Sequence, residues 1–144
     1  MKFFIVAASL IASVLAQSID IGVPVSGDAI QAGQQLTVEV DRPNSLTGSE
    51  EVAIVIGLRP CYDNNCVAAD EAIGSVLYNG GFKPQYSTLP GTGEKPPHQN
   101  FTVTVPEDIQ AGPAILSVSH FSLVGAGPWP MFEVVNKSLT ITGS

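Results

Sequence analysis

Asn100 to Gly127, NFTVTVPEDIQAGPAILSVSHFSLVGAG, is the stretch from which the fold is read. Phe101, Val103 and Val105 alternate with Thr102 and Thr104, the period-2 pattern of a strand with one buried face. Pro106 ends the pairing, because it has no backbone N–H to give to a ladder. Glu107 to Gly112 makes a corner, and Ala114 to Val124 resumes with Leu116 and Val118 alternating with Ser117 and Ser119. Strand, corner and strand is how one sheet of a β-sandwich passes the chain to the other. His120 shares the parity of Leu116 and Val118, so it is expected in the core with its nitrogens satisfied. The alternation blurs at His120 and Phe121, where a bulge is expected.

The rest of the chain repeats this grammar. Ile19, Ile21 and Val23 alternate with Ser18, Asp20 and Gly22 in a first strand that ends at Pro24. Ser26 to Gln34 turns the chain, and Leu36, Val38 and Val40 then face inward with Thr37, Glu39 and Asp41 outward. Val52 to Leu58, VAIVIGL, is short, apolar and rich in β-branched residues, which predicts a central strand covered on both faces or nearly so. Ala72 to Tyr78 is a further strand, and Asn79-Gly80-Gly81 reads as a turn. Phe82 to Gln99, with prolines at 84, 90, 96 and 97, reads as a long surface crossing. Phe132 to Thr142 is the last strand. Two similar segments, DAIQAG at 28–33 and DIQAG at 108–112, each precede an alternating strand and predict two corners at equivalent ends. With no helical periodicity, the expectation is an all-β chain, a single immunoglobulin- or fibronectin-like antiparallel β-sandwich of about seven strands.

Composition narrows the function. Lys2, the apolar run from Phe3 to Leu15, and small residues at Val14 and Ala16 have the layout of a signal peptide, residues 1–16. The run is shorter than the roughly 20 residues a membrane-spanning helix needs. The domain is therefore expected to be residues 17–144, secreted, with no membrane insertion. The formal net charge is −7, and losing Lys2 makes it more negative. That charge repels phosphate backbones, so no nucleic-acid partner is expected. Cys61 and Cys66, the only cysteines, are expected to form a disulfide in an oxidising compartment. A ring this short contributes about 2 kcal/mol of loop entropy, enough to pin a loop but not to hold a fold.

Few residues invite catalysis. No Ser or Cys stands in a nucleophile-elbow or papain-like context. A zinc site at the cysteines would have only His98 and His120 to draw on. Asp63, Asn64, Asn65, Asp70 and Glu71 lack the spacing of a calcium loop. The expectation is a non-enzyme with neither cofactor nor metal. Asn100-Phe101-Thr102 and Asn136-Lys137-Ser138 are N-glycosylation sequons. Strand parity places Asn100 with Thr102 and Thr104, and Asn136 with Ser138 and Thr140, on solvent faces. Gly125 to Phe132, GAGPWPMF, gathers Trp129, Met131 and Phe132 between two strands, the residue types that dominate protein-binding hot spots. The competing reading is that Trp129 folds back and plugs the end of the core.

The pieces VAIVIG, GSVLY, NFTVTVP, IQAGPAILSV, FSLVGAG and NKSLTITG together resemble the necrosis-inducing secreted protein family of fungal effectors. The resemblance implies a secreted, non-enzymatic protein that acts on host pattern-triggered immunity. It would bind host proteins such as immune receptor-associated kinases and provoke cell death, with entry into host cells as one route. The chain departs from the family pattern at CYDNNC and at the Trp-Pro tip. It is also similar to the immunomodulatory glycoproteins of polypore mushrooms, which implies stimulation of animal immune cells. A cell-wall or carbohydrate-binding module, suggested by the sandwich and Trp129, is the alternative from another class.

Overall fold

Alternating β-branched residues need a partner layer on their apolar side, and two sheets supply it to each other. The computed structural model describes residues 18–45, 47–91 and 93–143. The expected signal peptide lies outside them. The described strands are β1 (Asp20–Val23), β2 (Ala29–Gln31), β3 (Gln35–Asp41), β4 (Ser49–Pro60), β5 (Ser75–Gly80), β6 (His98–Thr104), β7 (Gly112–Val124) and β8 (Trp129–Thr142). One sheet has the order β1-β3-β6 and the other β2-β8-β7-β4-β5. Neighbours pair antiparallel, except that β2 runs parallel to β8.

Among the described residues there are thus eight strands in a two-sheet sandwich, not seven. The added strand is β2, inside the segment read as a turn. Three residues are too few to show a period, and only the exposed edge of β8 makes them a strand. The predicted hand-over is present, since β6 lies in one sheet and β7 in the other. The first of the two similar corners closes on the end of the strand that leads to the second. The Gly33 amide donates to Val105 O at 3.0 Å, and the Val105 amide donates to Gln34 O at 2.9 Å. Gly33 has φ 81°, a value that glycine adopts without a Cβ penalty.

Val38, Val40, Phe101 and Val103 from the smaller sheet pack against Ile54, Ile56, Leu58, Leu116, Val118 and Leu139 from the larger. Phe82 joins them, so the proline-rich crossing begins in the core and reaches the surface only afterwards. Glu39 faces outward as expected but is buried. The crossing folds over it, and Lys95 Nζ contacts Glu39 Oε2 at 2.6 Å. Gly22 makes room for this, because a Cβ there would fall 2.5 Å from Glu39 Oε1 and 2.6 Å from Asp41 Oδ2.

Cys61 and Cys66 form the expected disulfide. Between them Asp63 and Asn64 both take positive φ, 54° and 59°, the pattern of a tight hairpin turn that Asp and Asn tolerate. The chain after this loop lies on the outer face of β4. A Cβ on Gly57 would sit 2.3 Å from Ile73 Cγ1 and 2.4 Å from its carbonyl oxygen. Gly57→Ala should therefore push the 67–74 segment off the sheet and cost about 1–3 kcal/mol, read by urea unfolding. An unchanged unfolding midpoint would show that the segment does not press on β4.

Candidate interaction surface

The β7–β8 hairpin carries the residues singled out from the sequence. Its register is unbroken from Gly112 opposite Ile141 to Val124 opposite Trp129. The bulge expected at His120 and Phe121 is therefore not in this pair. It lies across from them in β4, where the register shifts between Glu51 and Ala53 and leaves Val52 as the extra residue. In a regular strand, Glu51 and Ile54 would face opposite sides. The bulge resets the phase, so Glu51 and Ile54 both point inward, and Val52 is 42% exposed.

Inside, His120 is fully buried and lies between two carboxylates. Nδ1 donates to Glu133 Oε1 at 3.0 Å, and Nε2 donates to Glu51 Oε2. Two carboxylate acceptors call for two N–H donors, which only the imidazolium has. Glu133 Oε1 also accepts the Ile19 amide at 2.8 Å. Glu51 Oε1 accepts from Arg42 Nε at 2.9 Å and from the Ser49 hydroxyl at 2.8 Å. Arg42 follows directly on β3, and Ile19 precedes β1. The network therefore ties the smaller sheet to β4, β7 and β8 of the larger. The Phe82 ring meets His120 edge to face at 5.6 Å.

The titration follows from this geometry. Burial works against the His120 imidazolium, but hydrogen bonds and charge from Glu133 and Glu51 outweigh it and hold its pKa above 6.5. Burial likewise opposes ionisation of Glu51 and Glu133. Hydrogen bonds from His120, with Ser49 at Glu51 and the Ile19 amide at Glu133, outweigh it and hold both below 4.5. On the opposite outer face, burial and then the hydrogen bond and charge of Glu39 push Asp41 up to about 6.

Outside, the three aromatic-tip residues separate. Met131, opposite Ser122 on the inward face, is 9% exposed and part of the interior, so it offers no contact surface. Trp129 has the inward parity of Val124 but stands at the open end of the sandwich, 48% exposed, and does not plug the core. Phe132 faces outward opposite Phe121 and is 66% exposed. Phe132 and Val134 on β8, Phe121 on β7 and Val52 on β4 give the larger sheet an apolar outer face. Thr37, Thr102 and Thr104 make the outer face of the smaller sheet polar. The expected covering of β4 on both sides is found at Gly57 and beside Arg59, where Ile73 and Gly74 lie against the strand, while Val52 is exposed. Asn100 and Asn136 are both exposed, on the outer faces of different sheets. Among the described residues no group of three or more His, Cys, Asp or Glu is placed to hold a metal ion.

The sequence reading missed Arg42, Glu51 and Glu133. Spacing offered no signal for them, since Glu51 and Glu133 lie on separate strands and Arg42 just beyond a third. A usable hint was the buried parity of His120, which required partners from somewhere.

The Nis1 family model matches residues 14–140. No curated protein matches the chain. Among solved structures, the chain is similar to the fusolin of Wiseana spp entomopoxvirus spindles, with a TM-score of 0.53 and 16% identity over 83% of this chain and 44% of that one. It is also similar to a cellulose-active polysaccharide monooxygenase from M. thermophila, with a TM-score of 0.49 and 14% identity over 82% of this chain and 54% of that one. The chain thus spans about half the length of these structures, and the likeness to fusolin is one of fold alone.

Stability should carry the signature of the buried network. The His120 pKa is raised in the fold, so its contribution is fully present below about pH 6.5 and is lost as pH rises through the folded value. Glu51 and Glu133 are depressed, so theirs is present above about pH 4.5 and is lost as pH falls through their folded values. His120→Gln should cost about 3–5 kcal/mol near pH 5.5, because it leaves the buried Glu133 without its charge partner and Glu51 with Arg42 alone. The gap between wild type and variant in urea unfolding should narrow above pH 6.5. A gap that stays constant up to pH 9 would mean that His120 is neutral in the fold.

Proposed function

The chain belongs to the Nis1 family, a family of necrosis-inducing secreted proteins, and on that premise we propose that it is a fungal effector that modulates host innate immunity by binding host proteins. The family match carries this reading. Its supports in the structure are the disulfide, which suits an oxidising extracellular medium, and the exposed apolar outer face of the larger sheet. A rigid β-hairpin presenting Phe132, with the buried charge network directly behind it, is a pre-organised contact surface that loses little entropy on binding. Contact rather than catalysis is the proposed mode. The buried titratable groups, His120, Glu51 and Glu133, face one another and stabilise the fold. Immune receptor-associated kinases are proposed among the partners, reached outside host cells or after entry.

We also read the sheet order as immunoglobulin-like. A first strand divided between sheets, β1 beside β3 and β2 parallel to the last strand, is the arrangement such a fold would take. A carbohydrate-binding role is the second reading, favoured by the half-exposed Trp129 at the sandwich end.

Infiltrating plant leaf with the secreted protein should lower the elicitor-triggered oxidative burst and produce necrosis. Phe132→Ser should weaken both effects while leaving the unfolding free energy within about 0.5 kcal/mol of wild type, as expected for a surface site. Leaf tissue and burst unchanged by the wild type would overturn the effector reading. Retention on insoluble polysaccharide that Trp129→Ala abolishes would put the second reading in its place.

A further inference from the structure

The outer face of β8 carries a groove of about 480 Å³ between that strand and the loop after the disulfide. Val67, Ala69, Ile115 and Val134 give it apolar walls, Phe132 stands at one end, and Asn136 lies at the other. Asn136 is exposed and begins the sequon Asn136-Lys137-Ser138. It has the outward parity of Val134 and Phe132, which lie about 7 and 13 Å away along an extended strand. An apolar groove with an acceptor asparagine built into its lining has a natural occupant in the same molecule.

We infer that Asn136 carries an N-linked glycan whose first sugars lie in this groove and cover Val134 and the near edge of Phe132. In the secretory pathway the donor is a lipid-linked oligosaccharide diphosphate. Asn136 Nδ2 forms a bond to C1 of the reducing-end N-acetylglucosamine as the C1–O bond to the diphosphate breaks. Nδ2 gives up one proton, the lipid diphosphate leaves with the bonding pair, and nothing is oxidised or reduced. The sugar's C–H face suits the electron-rich face of Phe132 and the aliphatic walls. Its hydroxyl groups face water and the carboxylate of Asp70, which also lines the groove.

The two sequons differ in this respect. Asn100 lies on β6, at the edge of the smaller sheet, opposite Glu39 in the ladder and on a polar face. A glycan there projects into solvent and covers nothing apolar. The glycan at Asn136 takes the end of the larger sheet's outer face nearest the disulfide loop. It leaves the far side of Phe132 and the end around Val52, Pro130 and Trp129 for contact with other molecules.

The test uses the full chain secreted from a fungal or yeast host. Glycopeptide mass spectrometry should find a glycan at Asn136, and Asn136→Gln and Ser138→Ala should each remove it. Backbone hydrogen exchange over 66–70 and 132–136, and binding of an apolar-surface dye, should both rise when the glycan is absent. Asn100→Gln should change neither. Enzymatic trimming of the native glycoprotein to one sugar provides the same comparison without any mutation. A secreted protein with Asn136 unmodified overturns the inference, as does a glycan whose removal leaves exchange and dye binding unchanged. Failure of secretion itself would count against the family-based reading and also remove the basis of the glycan.

Discussion

A buried imidazolium between two carboxylates is the interaction around which this sandwich is arranged. A charge taken out of water is costly unless it is paired and fully hydrogen-bonded. Here His120 and Arg42 face Glu51 and Glu133, formal charges that cancel. The Ser49 hydroxyl and the Ile19 amide occupy remaining acceptor positions on the carboxylates. The consequence is one of specificity. Apolar contacts tolerate sliding of one sheet over the other, whereas this set of donors and acceptors is satisfied in only one relative placement.

That arrangement depends on an irregularity. Strand β4 has to deliver Glu51 to the network and also Ile54, Ile56 and Leu58 to the core, and strict alternation cannot do both. The bulge at Val52 reconciles them. It also shapes the exterior. By placing Ala53 opposite Phe121, it carries an apolar surface across three strands, with Phe132 the most exposed member on β8. Interior charge pairing and exterior apolar display are thus two consequences of one inserted residue. The smaller sheet shows the opposite solution, an outer face where Glu39 is covered by the proline-rich crossing and paired with Lys95.

Much of this architecture was legible in the chain. The alternation in NFTVTV and ILSVS marks two strands on either side of a corner. Those strands fall in different sheets, and the interior parity of His120 is met by two partnered nitrogens. Short-range chemistry was equally readable, as in the Cys61–Cys66 ring with its Asp-Asn turn. Other features were not legible, for a common reason. β2 is a strand only because β8 offers an edge. Met131 and Phe132 are adjacent in sequence yet lie on opposite sides of a sheet, so the aromatic tip divides into an interior residue and two separate exposed ones.

The sequence alone determined an all-β chain, the order and parity of its main strands and the disulfide, because each depends on neighbours within a few residues. Family membership is likewise carried by the chain itself. Tertiary structure decided which charges meet, where the strand phase is reset, and which apolar face is left uncovered. Glu51, His120 and Glu133 come from three strands and Arg42 from the end of a fourth. Their partnership is a property of sheet order and register, which no local pattern encodes.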